Sequence, residues 1–181
     1  MEHAGLSIFP WDFADEGLDE VLDLVRDLGI TRLVLASVYH AGFFIHPHNP
    51  KRKVHLLEDG VCYFHPTESR YAESSIKPTV AAMCSEVDWF GLICERAQKV
   101  GIKVTAWTVC LHNTRIGLSH PECTIQNVYG DSYPHALTPG HPTAIKYLRS
   151  VVADLAEKYP LYSIFLEAPN YRRRKHGGGW V

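Results

Sequence analysis

The chain is short of the features that mark several protein classes. Its five cysteines, Cys62, Cys84, Cys94, Cys110 and Cys123, contain no Cys-x-x-Cys pair, and an odd, scattered set argues against a disulfide framework or a structural zinc site. Buried, idle thiols are expected instead. Neither sign of charge dominates: 18 lysines and arginines against 20 aspartates and glutamates give a formal net charge of -2. That balance supplies no concentrated basic surface for nucleic acid or for an anionic membrane. No apolar run approaches the roughly 18 residues of a membrane span, and residues 1–13 lack the basic start and apolar stretch of a signal peptide. A cytoplasmic protein is expected, with a small neutral molecule as its partner and neither nucleic acid nor membrane.

What is present is an ordinary globular composition, 46% hydrophobic and 21% charged over 181 residues, which fits a single domain over 1–181. Strands and helices alternate along it. Leu6–Phe9 reads as a short buried strand, and Leu18, Val21, Leu22, Val25 and Leu28 recur at helical spacing before Gly29. Thr31–Ser37 is the next strand, followed by a helix with Ser85 as its cap and Phe90, Ile93 and Ala97 on its apolar face. Lys103–Val109, a helix over Thr143–Tyr159 and a fourth strand over Ser163–Leu166 complete the series. Two helix exits match, Asp27-Leu-Gly-Ile and Lys99-Val-Gly-Ile. Such alternation predicts an α/β fold with a parallel sheet and right-handed crossovers.

The connections from strand to helix are long, roughly 38–84 and 110–142, and dense in His, Tyr, Pro and Asn. Long loops at the carboxyl ends of parallel strands are where such folds build sites. Glu167 ends the apolar run Ser163-Ile-Phe-Leu, ahead of Ala-Pro-Asn that cannot prolong a buried strand. Tyr39 and His40 follow the second strand, His112 and Asn113 the third, and Asp12 the first, so polar groups from successive strands reach one rim. Phe165 and Leu166 beside Glu167 predict a carboxyl partly withdrawn from water, the environment that favours the protonated form a proton donor requires. Trp107 is a candidate stacking platform for a sugar ring, as are Trp11, Phe43, Phe44, Tyr63 and Tyr171. Asn170 lies three residues beyond Glu167. His46-Pro-His48 and the scattered His55 and His65 are residue types that bind metals, but His46 and His48 straddle a proline with no acidic or cysteine partner at the usual spacing, so no metal and no other cofactor is expected. Lys51-Arg-Lys53 and Arg172–Lys175 are compact basic clusters that suit either an anionic substrate group or a solvated loop.

With Pro10-Trp-Asp-Phe after the first strand and Phe165-Leu-Glu-Ala-Pro-Asn170 at the fourth, the chain resembles, over nearly its whole length, the N-terminal half of a (β/α)₈ glycoside-hydrolase-like barrel. In the retaining glycosidases of that barrel the acid/base glutamate closes the fourth strand. The resemblance therefore implies a carbohydrate-active protein with Glu167 as general acid/base and with Asp12, Tyr39, His40, Trp107, His112, Asn113 and Asn170 lining the substrate pocket. Two features depart from the family: Leu166 stands where those enzymes usually carry Asn, and their nucleophile comes from a seventh strand.

A complete barrel takes about 250 residues, so about four strands fit here. The expected fold is a partial, roughly four-stranded barrel with long βα loops, which would pair with a second copy or rest on a missing C-terminal half. Two other functions compete. The local Glu167-Ala-Pro-Asn170 pattern also resembles sugar isomerase and epimerase barrels that bind a divalent metal, and a rim without a second carboxylate suits a non-catalytic carbohydrate-binding module.

Overall fold

The computed structural model describes residues 4–171; the basic cluster Arg172–Lys175 lies outside them. Along the chain run β1 (Gly5–Ile8), α1 (Pro10–Glu16), α2 (Leu18–Asp27), β2 (Arg32–Tyr39) and a hairpin of β3 (Phe43–Ile45) and β4 (Val54–Leu56). After these come β5 (Val61–Cys62), β6 (Thr79–Val80), α3 (Trp89–Lys99), β7 (Lys103–Val109) and α4 (Thr114–Ser119). A second hairpin, β8 (Thr124–Gln126) and β9 (Ser132–Leu137), precedes α5 (Pro142–Lys158) and β10 (Ser163–Glu167).

The four strands read from the sequence are β1, β2, β7 and β10. They lie side by side in chain order, all parallel. The sheet is nevertheless larger than the four expected strands and is open. β5 adds antiparallel to the end of β2, pairing Val38 with Cys62 and Tyr39 with Val61, and β6 extends it. An antiparallel strand can return within a loop, whereas a parallel one needs a crossover of a dozen or more residues. The long loop after β2 therefore contributes strands that no βα periodicity announces.

Register sorts the strand residues onto two faces. Leu6, Leu33 and Val104 face the helices, as do Ile8, Leu35, Ala106 and Ile164 in the next row. They form a core with Val21, Leu22 and Val25 of α2, Phe90, Ile93 and Ala97 of α3, and Tyr147, Val151 and Leu155 of α5. The spacing of each set is that of a single helical stripe. Ser7, Val34, Thr105 and Ser163 make one row of the other, inner face.

The helix ends follow local chemistry. Gly29 and Gly101 have φ of 72° and 78°, the left-handed conformation that ends a helix and that side chains resist. The cap of α3 is Asp88 rather than Ser85: its Oδ1 accepts from the Gly91 amide at 3.0 Å. Asp88 Oδ2 also accepts from the Tyr159 hydroxyl at 2.6 Å, so this carboxylate serves a cap and a tertiary contact together. All five cysteines are free and buried, and burial pushes the Cys62 and Cys84 thiols up to about 12. No helix among the described residues is long and apolar enough to cross a membrane.

Asp154 on α5 is buried and accepts from the Thr67 amide (2.9 Å), the Thr67 hydroxyl (2.7 Å) and the Tyr71 hydroxyl (3.2 Å). It ties α5 to the long loop after β5. Asp154→Ala removes the acceptor of three hydrogen bonds, of which the one from the Tyr71 hydroxyl is buried, and is expected to cost about 2 kcal/mol in urea unfolding, while Leu24→Ala on the exposed face of α2 stays within about 0.5 kcal/mol.

Candidate functional site

Glu167 is the last residue of β10, opposite Val109, and its carbonyl accepts from the Cys110 amide at 2.9 Å. Ala168 then takes φ of 50°, a left-handed turn that costs a non-glycine residue about 1 kcal/mol and diverts the chain into Pro169. The Trp107 indole N–H donates to Glu167 Oε2 at 2.5 Å, a charge-assisted bond that fixes the carboxylate. This differs from the expected drying of Glu167 by its chain neighbours. Phe165 and Leu166 are 49% and 41% exposed, and Leu166 points to the opposite face because side chains alternate along a strand.

Tyr39 reaches the same place through a bulge. Ala36 pairs with Trp107 and Val38 with Thr108, so Ser37 is an extra residue on β2. Its hydroxyl donates to the Trp107 carbonyl (3.0 Å) and is 2.8 Å from the Thr108 hydroxyl. The extra residue shifts the alternation, and Tyr39 lands on the inner face with Val109 instead of among the helices. Its ring meets Trp107 edge-on at 4.9 Å. Burial raises the Tyr39 phenol above its ordinary value, and the Glu167 carboxylate raises it further. His40 stacks on Tyr39 at 4.5 Å and on His112 at 4.2 Å. Glu167, Trp107, Tyr39, His40 and His112 thus form one connected rim across β2, β7 and β10.

The other expected site residues have different surroundings. Asp12 lies in the first turn of α1, where Oδ2 accepts from the Phe9 amide at 3.0 Å and Oδ1 is 3.9 Å from His46 Nδ1. Burial raises its carboxyl above the ordinary range, against the lowering effects of that bond and of His46. Asn113 is 2% exposed and caps α4, accepting from the Ile116 amide at 2.9 Å. Its amide nitrogen is turned to the Gly60 carbonyl at 3.5 Å. Asn170 is exposed beyond the turn.

Several neighbours had no signal in the sequence. His135, on β9, lies 6.1 Å from His112, with Tyr133 behind it; a mid-loop hairpin brings them in. Asp59 accepts from the Ala41 and Arg115 amides at 3.0 and 2.7 Å, tying together the loops that carry His40 and His112. Phe9 joins the rim to a second aromatic group, at 5.4 Å from Trp107 and stacked at 4.1 Å on Trp11. Beyond Trp11 is a cavity of about 260 Å³ lined by Asp15, Arg52, His55, Glu58 and Tyr63 among others. Within the basic cluster beside it, Lys51 and Arg52 pair with buried Asp15, at 3.8 and 2.9 Å. Among the described residues no three His, Cys, Asp or Glu side chains are grouped to hold a metal ion.

No protein-family model matches this sequence, and no curated protein does. Solved structures share its fold. A hypothetical protein from Ruminiclostridium thermocellum is similar with a TM-score of 0.67 and 16% identity, over 93% of this chain and 78% of that one. The α-L-fucosidase isoenzyme 2 of Paenibacillus thiaminolyticus gives 0.60 and 13% over 92% of this chain. The noncanonic maltogenic α-amylase AmyB of Thermotoga neapolitana gives 0.58 and 12% over 95%. The likeness is one of fold. This chain spans 23% of the fucosidase and 40% of the amylase.

His55 stacks on Trp11 at 4.4 Å, and its imidazole is held below the ordinary 6.5, first by burial and then by Arg52. The unfolded chain takes up this proton at about 6.5 while the folded chain resists it. Its contribution to stability is therefore present above pH 6.5 and is lost as pH falls through the folded-state value. Urea midpoints measured at about pH 7.5 and pH 5.5 should drop less in His55→Gln than in the parent.

Proposed function

We propose that this chain carries the sugar-binding rim of a carbohydrate-active enzyme, with Glu167 as general acid/base. The observation that carries the reading is the Trp107–Glu167 bond at the carboxyl ends of adjacent parallel strands, with Tyr39 beside it. That end of a parallel sheet is where ligands bind. The presence of a fucosidase and a maltogenic amylase among the structures of this fold supports a sugar substrate.

The geometry suggests a division of labour. Trp107 holds Oε2, and Oε1, which has no hydrogen bond among the described residues, gives a proton to a leaving oxygen and later takes one from water. The same N–H stabilises the carboxylate each time the proton departs. Tyr39, His40 and His112 stack on one another and turn ring edges along the rim, where their polar atoms can meet sugar hydroxyls. Glycoside hydrolysis also requires a second carboxylate about 5–10 Å from the first. Asp12 is committed to the Phe9 amide and faces His46, so the reading takes that partner from elsewhere.

A panel of aryl glycosides, with tryptophan fluorescence titrations of fucose and maltose, tests the reading. Where turnover is seen, Glu167→Gln should lower it by about 10²- to 10⁴-fold without loss of folding. Where the chain only binds, the fluorescence change should disappear in Trp107→Phe, which favours the non-catalytic module. Turnover unchanged in Glu167→Gln would remove that residue from the chemistry. Absence of both turnover and binding would sink the reading.

A further inference from the structure

We propose that the cavity between α1 and the β3–β4 hairpin is a second binding site, built for a small neutral molecule rich in hydroxyl groups, such as a polyol or a single sugar unit. It lies across an aromatic wall from the Glu167 rim and does not depend on the sugar reading of that rim.

The wall is Trp11 with its neighbours. Phe9 stacks on one face of the indole at 4.1 Å and His55 on the other at 4.4 Å, and Phe9 continues to Trp107. Trp11 lines the cavity, and with both faces covered it presents an edge there. The one polar atom on that edge system, Nε1, is buried without a hydrogen-bond partner among the described residues, in a side chain only 2% exposed. His55, which also lines the cavity, repeats the pattern: its Nδ1 is buried without such a partner. Buried polar groups of folded proteins are nearly always hydrogen-bonded, and one left alone is costly. Two of them on adjoining rings, beside a cavity of about 260 Å³, mark a place where a ligand completes the bonding. That volume falls short of the roughly 300–1,000 Å³ of ordinary ligand pockets, so the occupant is small.

Charge decides its class. Arg52 and Asp15 both line the cavity, but Arg52 gives Nε and Nη2 to the two carboxylate oxygens of Asp15 at 2.9 and 3.1 Å, a closed fork in which each charge answers the other. An anion would then meet the Glu58 carboxylate, and a cation would meet the indole N–H, which only donates. The His55 imidazole is held below its ordinary value by burial and then by Arg52, so it stays neutral at pH 7 and carries one donor and one acceptor nitrogen. What faces the cavity is therefore a mixed set. The Trp11 N–H gives, Glu58 takes while it also holds the Ala82 amide at 2.9 Å, and the Tyr63 hydroxyl does both, its proton retained because burial and then Glu58 raise the phenol. Hydroxyl groups on a ligand likewise give and take, and Ala14 and Met83 offer apolar contact to its carbon skeleton.

Trp11 reports on its own site. In heteronuclear NMR spectra of the whole chain its indole N–H signal, identified by its loss in Trp11→Phe, should shift saturably with xylitol and with glucose, at midpoints on the order of 1 mM. Acetate and methylammonium at the same concentrations should leave it in place. Ala14→Phe, which fills the cavity and removes no polar group, should abolish the shift. His55→Phe keeps a ring on Trp11 but not the nitrogen, and should weaken binding by about tenfold; where that variant does not fold, Ala14→Phe decides alone. The shift should persist in Trp107→Phe, so that failure of the rim to bind sugar and failure of this site are read separately. No shift with either neutral probe, an equal shift with a charged one, a shift that survives Ala14→Phe, or one lost in Trp107→Phe would overturn the proposal.

Discussion

The extra residue at Ser37 is the constraint on which the rim depends. Strand residues alternate between faces, so one inserted residue reverses the destination of everything beyond it. Before the bulge, Leu33 and Leu35 face the helices and Ala36 the inner side; after it, Val38 faces the helices and Tyr39 the inner side. Without the insertion Tyr39 would be driven toward the helical core and would lose Trp107 and Glu167. The bulge is held by the Ser37 hydroxyl, which meets the Trp107 carbonyl and the Thr108 hydroxyl. A buried polar residue in a central strand is costly unless its bonds are made. Here the bonds reach the strand that carries the indole, so the device that shifts Tyr39 also braces its neighbour.

Two loops then close over the strand ends, with no α-helix among their described residues but the short α4. Asp59 receives amides from Ala41 and Arg115, and these flank the turns that carry His40 and His112. The His40–His112 stack is therefore the joint consequence of two loops pinned by one carboxylate. Asn113 caps α4 and faces Gly60 from the other side. The long polar connections spend their polar residues chiefly on one another, and the rim that remains is half-buried: Trp107, His40 and His112 beside Glu167, with Tyr39 buried among them.

Much of this was legible in the sequence, and the omissions have physical causes. Apolar runs and helical stripes announce β1, β2, β7, β10 and the three longer helices because each buries a continuous face. Glu167 stands out because a charge at the end of such a run has no packing reason. Strands of two residues, β5 and β6, carry no period to read. The bulge is invisible because Ser37 looks like any small residue within a strand. Ser85 and Asp88 are both good caps, and the choice is made by Tyr159, 71 residues away from Asp88. Asn113 and Asp12 share this ambiguity: residue types that suit a ligand also suit a helix start, and their hydrogen bonds distinguish the two only after the chain is folded. His135 arrives on a hairpin whose pairing is set by tertiary contact.

Phe165 marks the open side of the proposed sugar rim. It lies in register with Trp107 and two residues before Glu167 on the same inner face, and it is half exposed. Ser7 and Ser163, in the row below, are exposed as well. A carboxylate bonded by an indole N–H is oriented, but orientation alone leaves it in contact with water on its open side. Electrostatic interactions in a site gain most of their strength when water is excluded, and an opposing wall over Phe165 is the nearest means of excluding it here. On this geometry a ligand seated over Phe165 would itself exclude water from the open side of Glu167, so occupancy of the rim and the strength of the carboxylate's interactions should rise together.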